Sequence, residues 1–146
     1  MTFLGDGPLK DDILIWARHR GLQDRVELPG AVPYREMPDH FQRAFVLVLP
    51  SFREGTPSVL LEALACGTPC IASNTGDIPA VVSHEQNGLL IRPGSAEDIA
   101  AAVVRLTLHP ELYARLQANA RLSVFPYLSQ AGVDRLMELY RAAAPF

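Results

Sequence analysis

The chain has 146 residues, 49% of them apolar, and a formal net charge of −3. This length suits one domain with a substantial core and is short for two. Without a basic face or an aromatic-basic cluster, the sequence argues against nucleic-acid binding. It contains no apolar run of about 18 residues and no signal-peptide pattern, so we expect no transmembrane segment. We therefore predict a cytoplasmic protein, with peripheral attachment at the inner membrane face as the alternative.

Short apolar runs alternate along the chain with segments of helical periodicity. This alternation is typical of an α/β fold with a doubly wound parallel sheet, Rossmann-like, and helices on both faces. The predicted strands are Thr2–Leu4, Arg25–Leu28, Phe45–Leu49, Pro69–Ala72 and Gly88–Ile91. The predicted helices are Leu9–His19, Pro38–Ala44, Pro57–Cys66, Asp77–Val82, Ala96–Leu108, Glu111 to about Leu122, and Tyr127 to about Ala143.

The segment from Pro50 to Ser73 is the most informative part of the sequence. An apolar run ends at Pro50, and a charged turn follows. Thr56 then fits the N-cap of a helix and Pro57 its first residue, while Gly67 fits a left-handed C-cap. A helix that starts at the carboxyl end of a buried strand can bind an anion, because its free N–H groups and its dipole point at the ligand.

Two glutamates accompany this helix. Glu54 lies in the turn before it, and Glu62 lies about two helical turns further on. A phosphate-linked sugar presents an anion and rows of hydroxyls, which suit backbone amides and carboxylates respectively. The segment therefore predicts a site for such a ligand, whereas the structural alternative is an ordinary strand–helix–strand unit with two surface glutamates.

In its Gly, Pro and Ala framework this glutamate pair resembles the signature of retaining glycosyltransferases of the GT-B fold, usually grouped as family 4. The pattern is Pro-Ser-x-x-Glu-Gly-x-Pro-x-x-x-x-Glu-Ala-x-Ala-x-Gly-x-Pro, starting at Pro50. Gly5-Asp6-Gly7-Pro8, Val26 to Gly30 and Asn87 to Gly94 also resemble segments of the C-terminal half of these enzymes. The resemblance covers nearly the whole chain.

The resemblance implies transfer of a sugar, with retained configuration, from a nucleotide-diphosphate-sugar donor to an acceptor. Glu54 would be the catalytic residue and Glu62 would hold the ribose hydroxyls. The other donor-binding residues that it implies are Gly55, Thr56, Pro57 and Ser58 beside the sugar and phosphate, and Leu28, Pro29 and Gly30 beside the base. No covalently bound cofactor and no metal are implied, and Cys66 and Cys70 are expected to be reduced core residues.

The sequence also departs from the family pattern. The family's C-terminal half opens with a strand and a Gly-rich turn carrying an Arg and a Lys, and this sequence begins after them. Asp77 stands where many relatives have a Gly, and Ala80 stands where many have a Glu. The sequence also departs from the family pattern at Tyr127, where the final helix begins. We therefore expect residues 1–146 to be a single donor-binding domain of a two-domain enzyme, whose missing N-terminal domain would take a glycan or lipid-linked acceptor. A non-catalytic truncated or split module and a nucleotide-sugar epimerase remain the alternatives.

Overall fold

The computed structural model describes residues 1–55 and 57–127. Short strands and helices alternate along this part of the chain. The strands are β1 (Thr2–Leu4), β2 (Glu27–Gly30), β3 (Leu47–Leu49), β4 (Cys70–Ser73) and β5 (Gly88–Ile91). The helices are α1 (Lys10–His19), α2 (Met37–Arg43), α3 (Ser58–Ala65), α4 (Ile78–Val81), α5 (Ala96–Leu108) and α6 (Pro110–Ser123). The chain divides into two compact units, residues 1–37 and the residues from 38 onward.

In the first unit, β1 pairs with β2 in parallel. Thr2 lies opposite Glu27 and Leu4 opposite Gly30, so three residues of β1 span four residues of β2. The extra residue makes a bulge in β2. This bulge explains how Pro29 fits into a strand, because proline has no N–H to give to a regular ladder.

In the second unit, β3, β4 and β5 form a parallel sheet in that order, with Ile71 of β4 between Val48 and Leu89. These three side chains share one face of the sheet, as alternate positions on paired strands do. They belong to an apolar cluster that α5 and α6 complete with Ala102, Leu106, Leu112 and Leu116. Helix α3 contacts β3 and β4 and has no residue in this cluster among the described residues, so helices cover both sides of the sheet.

The predicted α/β class, with parallel strands and helices on both sides, is confirmed. Strands β1 and β5 and helix α5 have the predicted bounds. The prediction of a strand at Arg25–Leu28 was two residues early, because Gln23–Arg25 forms a 3-10 turn. The other predicted elements moved by one or two residues at their ends, as helix ends and short strands often do. Most of the helix predicted from Tyr127 to about Ala143 lies outside the described residues.

Helix α5 shows how a short sequence signal sets a helix start. The Ser95 hydroxyl accepts a hydrogen bond from the Asp98 amide at 3.1 Å, which is half of a capping box. The other half is missing, because the Ser95 amide bonds to the Arg92 carbonyl at 3.2 Å and not to the Asp98 carboxylate. The Asp98 carboxylate instead accepts hydrogen bonds from the backbone amide and the guanidinium of Arg92.

Among the helices that the structure describes, none combines the length and apolar character needed to cross a membrane.

Candidate functional site

The candidate site lies where β3 and β4 end. Parallel neighbours deliver their carboxyl ends to the same edge of a sheet, which is where α/β proteins bind ligands. The loop after β3 and the turn after β4 line an open cleft of about 450 Å³ at this edge. Its lining residues are Arg53, Glu54, Gly55, Thr75 and Gly76.

Glu54 supplies the carboxylate of this cleft. Its side chain is half-buried, and one of its oxygens, Oε1, accepts a hydrogen bond from the Ser51 hydroxyl at 2.6 Å. Hydrogen bonds to an ionised carboxylate are shorter and stronger than those between neutral groups. A carboxylate can accept several hydrogen bonds, so Glu54 keeps acceptor capacity for a ligand while Ser51 fixes its direction.

Helix α3 begins one residue later than predicted. Pro57 takes the N-cap position with an extended backbone (φ −75°, ψ 107°), and Ser58 is the first helical residue. Thr56, the predicted N-cap, lies outside the described residues. Proline has no side chain that can cap, and the Leu60 amide bonds to the Pro57 carbonyl at 3.1 Å. In general, the first amides of a helix have no acceptor within the helix.

The predicted left-handed glycine after α3 is confirmed, although the helix ends at Ala65, one residue before the predicted Cys66. Gly67 has a φ of +81°, and its amide bonds to the Leu64 carbonyl at 2.9 Å. The Thr68 amide bonds to the Ala63 carbonyl at 2.9 Å. These two bonds make a Schellman motif, in which a glycine in left-handed conformation closes the helix.

Glu62 lies on the second turn of α3, and its side chain is half-buried. It is not among the residues that line the cleft around Glu54. Among the described residues, none donates a hydrogen bond to its carboxylate. The structure thus leaves the carboxylate of Glu62 with acceptor capacity for a ligand, but it does not bring Glu62 into the same cleft as Glu54.

The three residues predicted to border a base belong to the first unit. Leu28, Pro29 and Gly30 are the last residues of β2, not a loop after it. Asp6 fixes the chain at this point, because its Oδ2 accepts a hydrogen bond from the Ala31 amide at 3.0 Å. A Cβ at residue 30 would lie 3.0 Å from Asp6 Oδ1, and Gly30 has a φ of +84°, so glycine suits this position on two counts.

The two cysteines are free thiols, Cys70 buried and Cys66 half-buried. Burial raises the pKa of the Cys66 thiol to about 11 and raises that of Cys70 further. The thiolate is the reactive form, so neither side chain is suited to nucleophilic chemistry at neutral pH. Among the described residues, no group of three His, Cys, Asp or Glu side chains is placed to hold a metal ion.

The sequence predicts Glu54 and Gly55 as site residues but misses three others. From the sequence, Ser51 is recognisable only as part of the glutamate motif, and Thr75 and Gly76 only as residues of the turn after β4. The available signal was topological, because turns after neighbouring parallel strands meet at one edge. Arg53 also lines the cleft, with an exposed side chain.

The parallel sheet with helices on both sides and a cleft at its carboxyl edge is a Rossmann-like fold, of the kind found in GT-B glycosyltransferases. The family model of glycosyl transferases group 1 matches residues 1–123. The chain belongs to this family.

Curated relatives of this chain include longer proteins. It is 34% identical over 133 residues to a D-inositol 3-phosphate glycosyltransferase from Saccharomonospora viridis, a match that covers 91% of this chain and 28% of the relative. The chain thus spans less than a third of that relative's length.

Solved structures show the same fold. Sucrose-phosphate synthase from Thermosynechococcus elongatus superimposes with a TM-score of 0.79 at 30% identity, over 98% of this chain and 39% of that protein. HepE from Anabaena, solved in complex with UDP, superimposes with a TM-score of 0.76 at 19% identity, over 98% of this chain and 40% of HepE. At that identity, HepE shows the fold alone.

Proposed function

We propose that this chain is the donor-binding, C-terminal half of a retaining glycosyltransferase of the family 4 type. In this proposal it binds a nucleotide-diphosphate sugar and presents it to an acceptor held by a domain outside these residues. The observation that carries the proposal is the half-buried carboxylate of Glu54, oriented by Ser51 in a cleft at the carboxyl edge of the sheet. Membership of the glycosyl transferases group 1 family supports the reaction class.

Each group has a role in the proposed donor complex. Glu54 accepts hydrogen bonds from the sugar hydroxyls. The backbone N–H groups of Gly55, Thr56 and Ser58 donate to the sugar and the distal phosphate, where negative charge grows as the leaving group departs, whereas Pro57 has no N–H to donate. The start of α3 close to the carboxyl edge of the sheet supports this role, because helix N-termini bind anions. Glu62 accepts the ribose hydroxyls, and Leu28, Pro29 and Gly30 border the base.

The proposed transfer needs no side-chain nucleophile in this chain. In a front-face reaction, the acceptor hydroxyl attacks the sugar carbon on the side from which the nucleotide diphosphate leaves. The departing phosphate helps to accept the hydroxyl's proton, and the configuration is retained. The raised pKa of the Cys66 thiol and the burial of Cys70 leave neither cysteine suited to act as such a nucleophile.

Thermal unfolding with and without nucleotides is the first test. UDP, GDP and ADP should be compared with UDP-glucose, GDP-mannose and ADP-glucose, and UDP comes first because HepE was solved with it. A ligand that binds only the folded state at a hundred times its Kd stabilises by about 2.7 kcal/mol, which is easily seen as a rise in Tm. A cooperative transition that none of the six compounds moves would contradict donor binding by this chain and favour the non-catalytic module.

Two glutamate variants then separate the proposed roles. A hydrogen bond to a charged group is worth about 1.5–3 kcal/mol, so Glu62→Ala should weaken nucleotide binding about ten- to a hundredfold. Glu54→Gln should leave free nucleotide binding unchanged and remove the extra affinity that the sugar gives. Isothermal titration with the nucleotide and its sugar conjugate measures both effects.

Glu97→Ala is the matched control for these variants, because Glu97 is an exposed glutamate on a helix outside the proposed site. It should change neither affinity. Unchanged nucleotide affinity in Glu62→Ala would remove Glu62 from the site. Equal loss of nucleotide and conjugate binding in Glu54→Gln would refute the role given to Glu54.

A further inference from the structure

The loop that carries Glu54 is fixed at several points by parts of the chain distant in sequence. Within the loop, residues 51–55, the Ser51 hydroxyl holds the Glu54 carboxylate at 2.6 Å. From the turn after β4, the Thr75 hydroxyl donates to the carbonyl of Phe52 at 3.3 Å. Both the side chain and the backbone of the loop therefore have partners before any ligand arrives.

Gly76 makes the closest of these contacts. A Cβ built on this residue would lie 1.9 Å from the Glu54 carbonyl oxygen and 3.0 Å from its carbonyl carbon. Gly76 also has a φ of +53°, in the left-handed region that favours glycine. The obstructing atoms are backbone, so any side chain at residue 76 would require the Glu54 loop to move.

The turn after β5 also reaches this loop. A Cβ at Gly94 would lie 2.6 Å from Cε1 of the Phe52 ring. Unlike the backbone beside Gly76, that ring is 75% exposed and can move away. The contacts at Ser51 and Gly76 are therefore the ones that set the position of Glu54.

We propose that Ser51 and Gly76 are positioning residues for Glu54. Ser51 fixes the direction of the carboxylate, and Gly76, which has no side chain, leaves the space that the Glu54 backbone occupies. This inference rests on the proposed function, and it assigns sugar recognition to a prearranged carboxylate. A group that is already held in its bound geometry avoids the ordering cost of binding.

The positioning role has a readout that needs no ligand. Arg53 is exposed and immediately precedes Glu54, so trypsin cleavage after Arg53 reports how often the loop opens. Mass spectrometry of the products separates this cut from those at other basic residues. Cleavage of a folded protein follows the population of its open form, so Gly76→Ala should accelerate this cut about tenfold or more. Ser51→Ala should accelerate it by a smaller, measurable factor.

Two controls isolate the proposed contacts. Gly21 has a φ of +66° and no atom within 4 Å of a built Cβ, so Gly21→Ala carries the backbone strain without the obstruction. Ser51→Thr retains the hydroxyl. Both should be cleaved after Arg53 at the wild-type rate. If Gly76→Ala does not fold, as judged by circular dichroism, the two Ser51 variants decide the question.

Ligand binding tests the consequence for sugar recognition. The comparison is the affinity for UDP-glucose relative to UDP, or for GDP-mannose relative to GDP or ADP-glucose relative to ADP, whichever nucleotide binds. Ser51→Ala should lose the extra affinity given by the sugar and keep the wild-type affinity for the free nucleotide. Ser51→Thr should keep both.

The outcomes distinguish this inference from the function on which it rests. Wild-type cleavage rates in both Ser51→Ala and Gly76→Ala would overturn the positioning role, whatever the ligand experiments give. So would a Ser51→Ala variant that keeps the full sugar-dependent affinity. A wild-type chain without any sugar-dependent affinity would instead overturn the proposed function, while accelerated cleavage in the variants would still support the structural part of the inference.

Discussion

Two buried hydroxyls in the second unit should respond to removal with opposite signs. Ser73, the last residue of β4, is fully buried, and its Oγ has no hydrogen-bond partner among the described residues. Thr68 is 3% exposed, and its hydroxyl donates to the Phe41 carbonyl at 2.7 Å. We therefore expect Ser73→Ala to raise the free energy of unfolding and Thr68→Val to lower it.

The magnitudes follow from what each hydroxyl does. A buried polar group without a partner costs about 1–3 kcal/mol, which Ser73→Ala recovers. The change also leaves a void of about 15 Å³, which costs about 0.4 kcal/mol at about 24 cal/mol per Å³. The net gain is on the order of 1 kcal/mol, or a rise in Tm of about 2–4 °C for a chain of this size.

Thr68→Val works in the other direction. The Phe41 carbonyl also accepts the Ala44 amide at 3.0 Å, so it keeps one of its two hydrogen bonds. The loss is then that of one ordinary hydrogen bond, about 0.5–1.5 kcal/mol, with a matching fall in Tm. Both changes keep the side chain close to its original shape.

Urea unfolding followed by far-ultraviolet circular dichroism measures both free energies. Fluorescence is less suitable, because the single tryptophan, Trp16, lies in the first unit. The slopes against urea concentration should agree among the three proteins, so that midpoints can be compared. A fall in stability for Ser73→Ala as large as that for Thr68→Val would refute the reasoning, since it would mean that the Ser73 hydroxyl is hydrogen-bonded in solution.

Two further predictions concern helix ends. Gly67→Ala should lower the free energy of unfolding by about 1–2 kcal/mol, which is the usual cost of an L-residue in left-handed conformation. The control is Gly7→Ala, because Gly7 has no positive φ and no atom near a built Cβ. It should change the free energy of unfolding little in the same urea titration. The Arg92 guanidinium holds the pKa of Asp98 well below its usual range, so the carboxylate stabilises the fold above its unfolded pKa of about 3.9 and loses this effect as the pH falls further. Asp98→Asn should therefore lower Tm at pH 7, and the difference from wild type should shrink between pH 4 and pH 2.5; an unchanged difference at pH 2.5 would contradict the assignment.

The periodic parts of the chain were predicted from sequence nearly in full. The observed bounds of helix α5 and strand β5 were predicted from the sequence, because Ser95 caps the helix and the strand begins at Gly88. The Schellman end at Gly67 was also predictable, since a glycine directly after an apolar helical segment is typical of a left-handed C-cap. These signals are local, and neighbouring residues decide them.

The less predictable parts depend on contacts between distant residues. The sequence predicts a strand ending at Leu28, but pairing with β1 extends β2 to Gly30 and a bulge accommodates Pro29. The start of α3 moved by one residue, because Pro57 adopts an extended ψ that the sequence does not specify. Ser51 is only three residues from Glu54, yet its hydrogen bond to the carboxylate depends on a loop shape that Thr75 and Gly76 help to set.

The cleft combines two kinds of constraint that a sequence motif does not separate. Glu54 must be a carboxylate for its proposed chemistry, whereas Gly76 must be small because the backbone of Glu54 occupies the space of a Cβ. The first requirement is visible in the glutamate pair, and the second only in the structure. A related chain that keeps the glutamate but carries a larger residue at the position of Gly76 would have to shift the Glu54 loop. Such a chain would retain the motif without the geometry, so identification of this site in other sequences should require both residues.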